Sequence, residues 1–291
     1  MVLRMPGLAR SLRDGGFAFW TVHIICLAAL FTGVTWSAVA VCAALFWLRM
    51  FGVTAGYHRY FAHRSYKTSR PFQFVLAVCG TLAVQKGVLW WAANHRVHHK
   101  ESDQEGDIHS PVQRGFWWSH VGWILAPDYE RTDLSRIADM AKYPELRWLN
   151  EHYLVPPVTL AVLLYLVGGA TWLVWGFFIS TTLLWHATFT INSLAHVWGK
   201  RRYETGDASR NNVWLALLTM GEGWHNNHHR YMNSARQGFF WWEVDASYYV
   251  LAALARIGLV WDLHQPPRAL LDRGAAPAAV TVAAAAAIVS E

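Results

Sequence analysis

Two stretches of this chain carry no Asp, Glu, Lys or Arg: Gly15 to Leu48 and Tyr153 to Gly199. One helical crossing of a bilayer needs about 20 apolar residues, so each stretch is long enough for a helical hairpin. Turn-like residues sit near both midpoints, TGVTWS from Thr32 to Ser37 and VGGAT from Val167 to Thr171. The pattern predicts an all-α integral membrane protein with four transmembrane helices in two hairpins, near 17–34, 37–56, 154–169 and 172–195. Composition agrees, with 54% hydrophobic residues, only 15% charged and 18 Trp in 291 residues.

The placement of basic residues gives an orientation. Neither hairpin turn contains Lys or Arg, whereas Arg4, Arg10 and Arg13 precede the first helix. The other basic residues follow the second or fourth helix or stand at a helix end, where Arg49 is read. The positive-inside rule then puts both termini and the large middle segment in the cytoplasm. The N-terminus reads as a signal anchor, because no small-residue cleavage site follows a short apolar core. A net charge of +6 suits anionic lipid headgroups; no basic patch with base-stacking aromatics points to nucleic acid. Cys26, Cys42 and Cys79 lie in apolar surroundings without CxxC spacing and read as inert buried thiols. Pro71 to Trp91 reads as a helix lying along the membrane surface and then entering the cap, and Trp241 to Leu263 as another interfacial helix. Residues 1–265 are expected to form a single domain, and 266–291 a low-complexity tail.

Histidine supplies the chemistry. His58 and His63 stand in HRYFAH, His95, His98 and His99 in HRVHH, His225, His228 and His229 in HNNHH, and His196 in NSLAH. Neutral imidazole is the commonest metal ligand. In HxxHH a helix puts all three rings on one face, and those pointing the same way can share a metal. The five-residue step of HRYFAH turns an α-helix by about 140°, so that pair is expected to straddle a helix end. On the topology above, every cluster falls on the cytoplasmic side. Four ligands fill a zinc site, so eight or nine imidazoles imply two metals. His23, His186, His109, His120, His152 and His264 are isolated and read as hydrogen-bonded structural histidines or partners of the ligands.

Affinity order does not choose the metal, so ligand type and reaction must. A histidine-only pair at a membrane surface suits redox chemistry on a lipid, with two irons and O2. Glu222-x-x-His225 has the i, i+3 spacing of carboxylate di-iron bundles, but it occurs once and without partner glutamates. Glu222 is therefore read as orienting a histidine. Asp103, Glu105 and Asp107, just after the second cluster, are candidates for the same task. Two rivals stand beside this reading: a hydroxylase on the same kind of centre, and a zinc-holding membrane protein. A transporter should place ionisable residues at mid-membrane, which these helices lack apart from His23 and His186.

HRYFAH, HRVHH and GEGWHNNHH, with NSLAH before the last, resemble the membrane fatty-acyl desaturases of the stearoyl-CoA 9-desaturase type. HSPVQRGFWWSHVGW, His109 to Trp123, is similar to that family's segment after its second histidine box, and the resemblance spans roughly residues 15 to 245. It implies four helices under a cytoplasmic helical cap, a di-iron centre, O2 as oxidant and two electrons from a carrier protein. Carried over residue by residue, it implies His58, His63, His95, His98, His99, His196, His225, His228 and His229 as iron ligands, with Asn192 holding a water on the metal. The implied reaction puts a cis double bond, at carbon 9, into a saturated acyl-CoA in unsaturated fatty acid biosynthesis.

An apolar tunnel would hold the acyl chain bent, with Trp117, Trp118, Trp185 and Trp224 as candidate walls. Arg96, Lys100 and Arg114 are candidate phosphate contacts, so Arg96, Arg114 and Trp117 are the expected substrate contacts. The pattern departs from the animal members at Ala93-Asn94 and Ala126-Pro127, where they carry Arg-Asp and Arg-Lys for coenzyme A. The acyl carrier is therefore open between CoA, acyl carrier protein and a membrane lipid. With no fused haem domain expected, electrons would come from a separate ferredoxin, rubredoxin or flavoprotein reductase. The expected location is a bacterial inner membrane.

Overall fold

A computed structural model describes residues 16–275. Arg4, Arg10 and Arg13, and the Ala-rich stretch 276–291, lie outside the described residues. Helix α1 spans Phe17–Thr32 and α2 spans Trp36–Ala62. Gly33 turns the chain between them at φ 70°, ψ −167°, and Thr35 caps α2 by accepting the Ala38 N–H. A later helical span, Val155–His196, is 42 residues long. Straight, it would reach about 63 Å, twice a bilayer's hydrocarbon core. Gly169 breaks it at φ 65°, ψ −159°, close to the Gly33 conformation. Gly176 then faces Leu164, so the two arms lie side by side. The two turns also meet, since Thr171 donates to the Thr32 carbonyl and Trp175 to that of Gly33.

Trp36–Ala62 and Val155–His196 are each long and apolar enough to cross a membrane. Leu30 and Phe31 are 81% and 89% exposed and Leu166 and Val167 both 71%, an outward apolar face unsuited to water. Arg49 is not at a helix end, because α2 continues thirteen residues beyond it to Ala62. Fully buried, it donates to Leu45 O, Thr181 Oγ1 and Ser180 Oγ, tying α2 to the long span.

The last part of α2, Gly52–Ala62, widens into a π-helix. It packs on α3 (Arg70–Thr81) through GVTAG. A Cβ on Gly52 would lie 2.4 Å from the Cys79 carbonyl carbon, and one on Gly56 3.0 Å from Leu76 O. Such close approach is what small-xxx-small spacing permits. The surface helix expected over Pro71 to Trp91 is really two, α3 and α4 (Val88–Glu101). They are separated by residues 82–87, where Val84 and Lys86 take φ 57° and 62°. Hydropathy has no mark for a break made by backbone angles.

Helix α5 is Pro144–Glu151, and the long span just described is α6. Two short helices, α7 (Val213–Leu218) and α8 (His225–Arg230), follow. The second expected surface helix is shorter than its apolar run: α9 covers Ala246–Arg256, capped by the Asp245 carboxylate, which accepts the Tyr248 N–H. Lys67–Thr68 (β1) pairs antiparallel with Val260–Trp261 (β2), pinning the chain after α9 to the end of α2. Helix α10 (Arg268–Ala275) falls in the stretch read as tail, yet Leu270 is buried with Tyr203 and Phe239. A core of Tyr57, Phe61, Leu76, Leu89, Ile137 and Leu149 joins α2 to α3, α4 and α5, beside the histidine-bearing segments.

Candidate metal centre

All nine histidines converge, and they divide. His58, His63, His95, His99 and His228 form one group, and His98, His196, His225 and His229 the other; within each, the facing nitrogens lie within 4.8 Å of one another. The groups adjoin, with the His99 and His229 ring centres 4.4 Å apart.

Local winding explains the division. The π-helical stretch makes i→i+5 bonds, including His63 N–H to His58 O at 3.2 Å. That winding brings two residues five apart to a 4.8 Å ring separation. His63 is the C-cap residue, so the pair does straddle a helix end. On α4, His95 and His99 serve the five-histidine group while His98 serves the other. On α8 the roles exchange: His225 and His229 join the four-histidine group and His228 the five. Residues four apart fall in the same group and the third of the set in the other, so neither HxxHH face belongs to a single site. His196 comes from the turn that ends α6.

Carboxylates fix the rings. Nδ1 donates to Asp107 from His98 (3.0 Å), to Asp103 from His196 (2.8 Å), to Asp207 from His229 (2.7 Å) and to Glu222 from His58 (2.5 Å). Each such bond holds the ring in the tautomer whose Nε2 lone pair faces inward, the form a metal needs. Glu222 thus orients a histidine as expected, though it is His58 and not its neighbour His225. Arg59, buried between Glu222 and Asp245, bonds both carboxylates. Burial alone would raise the acids, but these partners outweigh it: His196 and Ser110 hold Asp103 at about 2, and His58 and Arg59 keep Glu222 below its usual value. Asp107 and Asp207 are held low by His98 and His229 against the same burial. Glu105 is exposed and takes no part. Asp207 went unnoticed in the sequence, where nothing in TGDAS marks it as a histidine partner.

The donor set fits two metal ions. Burial, then neighbouring imidazoles, keep His63, His95, His99, His225 and His228 well below their ordinary pKa, hence neutral as ligands must be. Nε2 atoms stand 3.0 Å apart in His58–His228, 2.9 Å in His63–His95, 2.8 Å in His99–His228 and 3.0 Å in His196–His225. Two ligands at right angles on one ion, each about 2.1 Å from it, would be about 3.0 Å apart. The buried Nε2 of His229 has no hydrogen-bond partner among the described residues, a cost that coordination would remove.

A cavity of about 580 Å³ reaches the centre. His58, His95, His225 and Asn192 form part of its wall, with Val53, Trp91, Trp185 and Phe189 among its apolar lining. Gln85 crosses this lining, donating to Thr188 Oγ1 at 2.7 Å and accepting from Trp91 Nε1 at 3.2 Å. Lys86, Glu130, Thr132 and Glu151 also line the cavity, as does half-exposed Leu154, just before α6 begins.

Of the four candidate tryptophans only Trp185 lines the cavity. Trp118 and Trp224 are turned to the carbonyls of Ile108 and Val244, and Trp117 is 70% exposed. The expected substrate contacts are likewise elsewhere. Arg96 is tied to Asp139 and to the carbonyls of Phe61 and Ala62, and Arg114 lies exposed over the Trp118 ring. A long cationic side chain has more than one possible partner, and its charge alone does not identify which. Exposed Lys100 pairs with Glu101.

Among the isolated histidines, His109 packs against His98 with ring centres 4.3 Å apart and lines the cavity. His23, His186 and His120 form a hydrogen-bonded chain ending on Ser193.

A helical, apolar chain with paired all-histidine groups that could hold metal beside an apolar cavity is the class that fold and site define. A sequence model of the fatty acid desaturase family matches residues 34–266. The chain belongs to that family and is an oxidoreductase acting on fatty acids. It is similar to an sn-1 stearoyl-lipid 9-desaturase of Anabaena variabilis, 39% identical over 84% of this chain and 91% of that one. It is also similar to the chloroplastic palmitoyl-monogalactosyldiacylglycerol delta-7 desaturase of Arabidopsis thaliana, 38% identical over 87% of this chain and 69% of the relative. A third relative, the icosanoyl-CoA 5-desaturase of Limnanthes douglasii, is 42% identical over 75% of this chain and 62% of its own.

Proposed function

We propose that the chain introduces a cis double bond, at carbon 9, into a saturated fatty acyl chain. The observation that carries this reading is the cavity whose wall is made in part by His58, His95 and His225. A long apolar substrate lying there would present its methylenes directly to both metal groups. Two irons bound by the nine histidines would supply the oxidising power, with O2 reduced to two waters by two electrons, two protons and two substrate hydrogens. The protein's own share is to orient the imidazoles, exclude water and hold the acyl chain. Asn192 lines the cavity and would complete the four-histidine group through a water. The Gln85–Thr188–Trp91 bridge would bend the chain beside the centre.

The substrate expected from the sequence is the acyl-CoA thioester. A membrane glycerolipid is the second reading, favoured by the charges of the cavity lining. Among the described residues that line the cavity Lys86 is the one Lys or Arg, alongside Glu130 and Glu151, and Arg96 is bonded to Asp139, so the lining offers no cluster of cations to a nucleotide's phosphates. The relatives' names include both lipid-linked and CoA-linked substrates.

Four crossings, turning at Gly33 and Gly169, would place the metal centre at the cytoplasmic face of a bacterial inner membrane. A ferredoxin, rubredoxin or flavoprotein reductase would deliver electrons there. Expression in a host without its own desaturase, followed by fatty-acid methyl-ester profiling, tests the activity. A new monounsaturated acid with its double bond at carbon 9 is expected. A hydroxylated product, or none, would defeat the reading.

A further inference from the structure

Residues 82–87, between α3 and α4, hold a conformation that this sequence does not favour. Val84 and Lys86 both take left-handed backbone angles, φ 57° and 62°. For a β-branched residue such as Val84 this is a true outlier. Strain of this kind persists only where surrounding contacts impose it, and it gathers at functional sites. Here the contacts are explicit. Arg49 donates to Leu82 O at 3.4 Å, Trp185 to Ala83 O at 3.0 Å and Tyr57 to Lys86 O at 3.1 Å. Gly87 closes the passage against Asn150, whose Oδ1 would lie 2.3 Å from any Cβ there. Three carbonyls are gripped from three directions, and Val84, Gln85, Lys86 and Gly87 all line the cavity.

A saturated acyl chain offers no polar atom between its two ends. No hydrogen bond can pick one methylene pair from the next, so the choice must come from the shape of the wall. A wall that yields by one methylene would admit two neighbouring products. We propose that the tethered passage 82–87 sets which pair of methylenes meets the metal centre, with Tyr57 and Val84 as positioning residues. Tyr57 is fully buried and, among the described residues, its hydroxyl bonds Thr81 and Lys86 alone, so it acts on the product through that backbone. Val84 acts as part of the wall, its side chain lining the cavity at an angle that the tethers impose.

The inference rests on the acyl-chain reading of the cavity. Wild type, Tyr57→Phe, Val84→Gly and Lys86→Gly are expressed in a desaturase-deficient host. Double bonds are located by mass spectrometry of disulfide adducts, and iron per chain is measured on purified protein. Wild type should give one position. Tyr57→Phe, with wild-type iron, should put at least a tenth of its product at a neighbouring position, and the glycine variants should do likewise. A merely structural role would lower yield without moving the double bond. One unchanged position in every variant that retains iron overturns the inference alone, whereas a wild type without product would overturn the reading of the cavity and this inference with it.

Discussion

At the scale of single residues, the carboxylates make the two histidine groups unequal. Among the described residues the four-histidine group receives Asp103, Asp107 and Asp207, whereas the five-histidine group receives Glu222 alone, itself bonded to Arg59. His98 and His228 belong to different groups, so His98→Ala and His228→Ala should each abolish turnover and lower bound iron. Full activity in either would contradict their assignment. Asp207→Ala leaves every ligand in place but frees the His229 ring. Metal affinity should fall about 10–100-fold, read by competition with a chelator; unchanged affinity would show that Asp207 does not orient the ring.

Proton linkage gives a further test at this scale. His229 is pushed down to about 4, first by burial, with Asp207 opposing, and five other ligands are held well below 6.5. The unfolded chain takes up these protons near pH 6.5 and the fold does not. Unfolding free energy therefore falls as pH drops from about 6.5 toward 4, by about 1.4 kcal/mol per pH unit for each histidine involved. The Tm of metal-depleted protein should decline between pH 7.5 and 5. A flat profile would mean the rings are not held neutral.

At the scale of elements, the approach of α2 to α3 places the first histidine pair. Gly52 stands six residues before His58, with no room for a side chain against Cys79. Gly52→Ala must push the helices apart, at a cost of about 1–3 kcal/mol, and should lower both Tm and iron content. An unchanged Tm would show that the contact yields freely. The helical character and the histidine convergence were legible because charge-free length and repeated ligand types leave few alternatives. Other features left no trace in one dimension. The π-helical winding that joins His58 to His63, the exchange of roles between α4 and α8, and the strained passage at Val84 all arise from backbone geometry. Arg96 is a candidate phosphate contact by its charge and its place in the second histidine cluster, yet its donors are used by Asp139 and backbone carbonyls.

At the scale of the whole molecule, apolar helical arms turn at Gly33 and Gly169 on one end and carry the histidine-bearing segments at the other. Four crossings require both turns to lie on the membrane face opposite the metal centre. Cysteines introduced at Thr35 and Thr171 should therefore react with an impermeant maleimide from the periplasmic side only, and labelling from the cytoplasmic side would contradict that topology. All of this serves one arrangement, nine imidazoles divided five and four between adjoining sites. Counting metal in purified, active protein tests it most directly. Two iron ions per chain are expected; active protein with a single ion would rule out the paired centre.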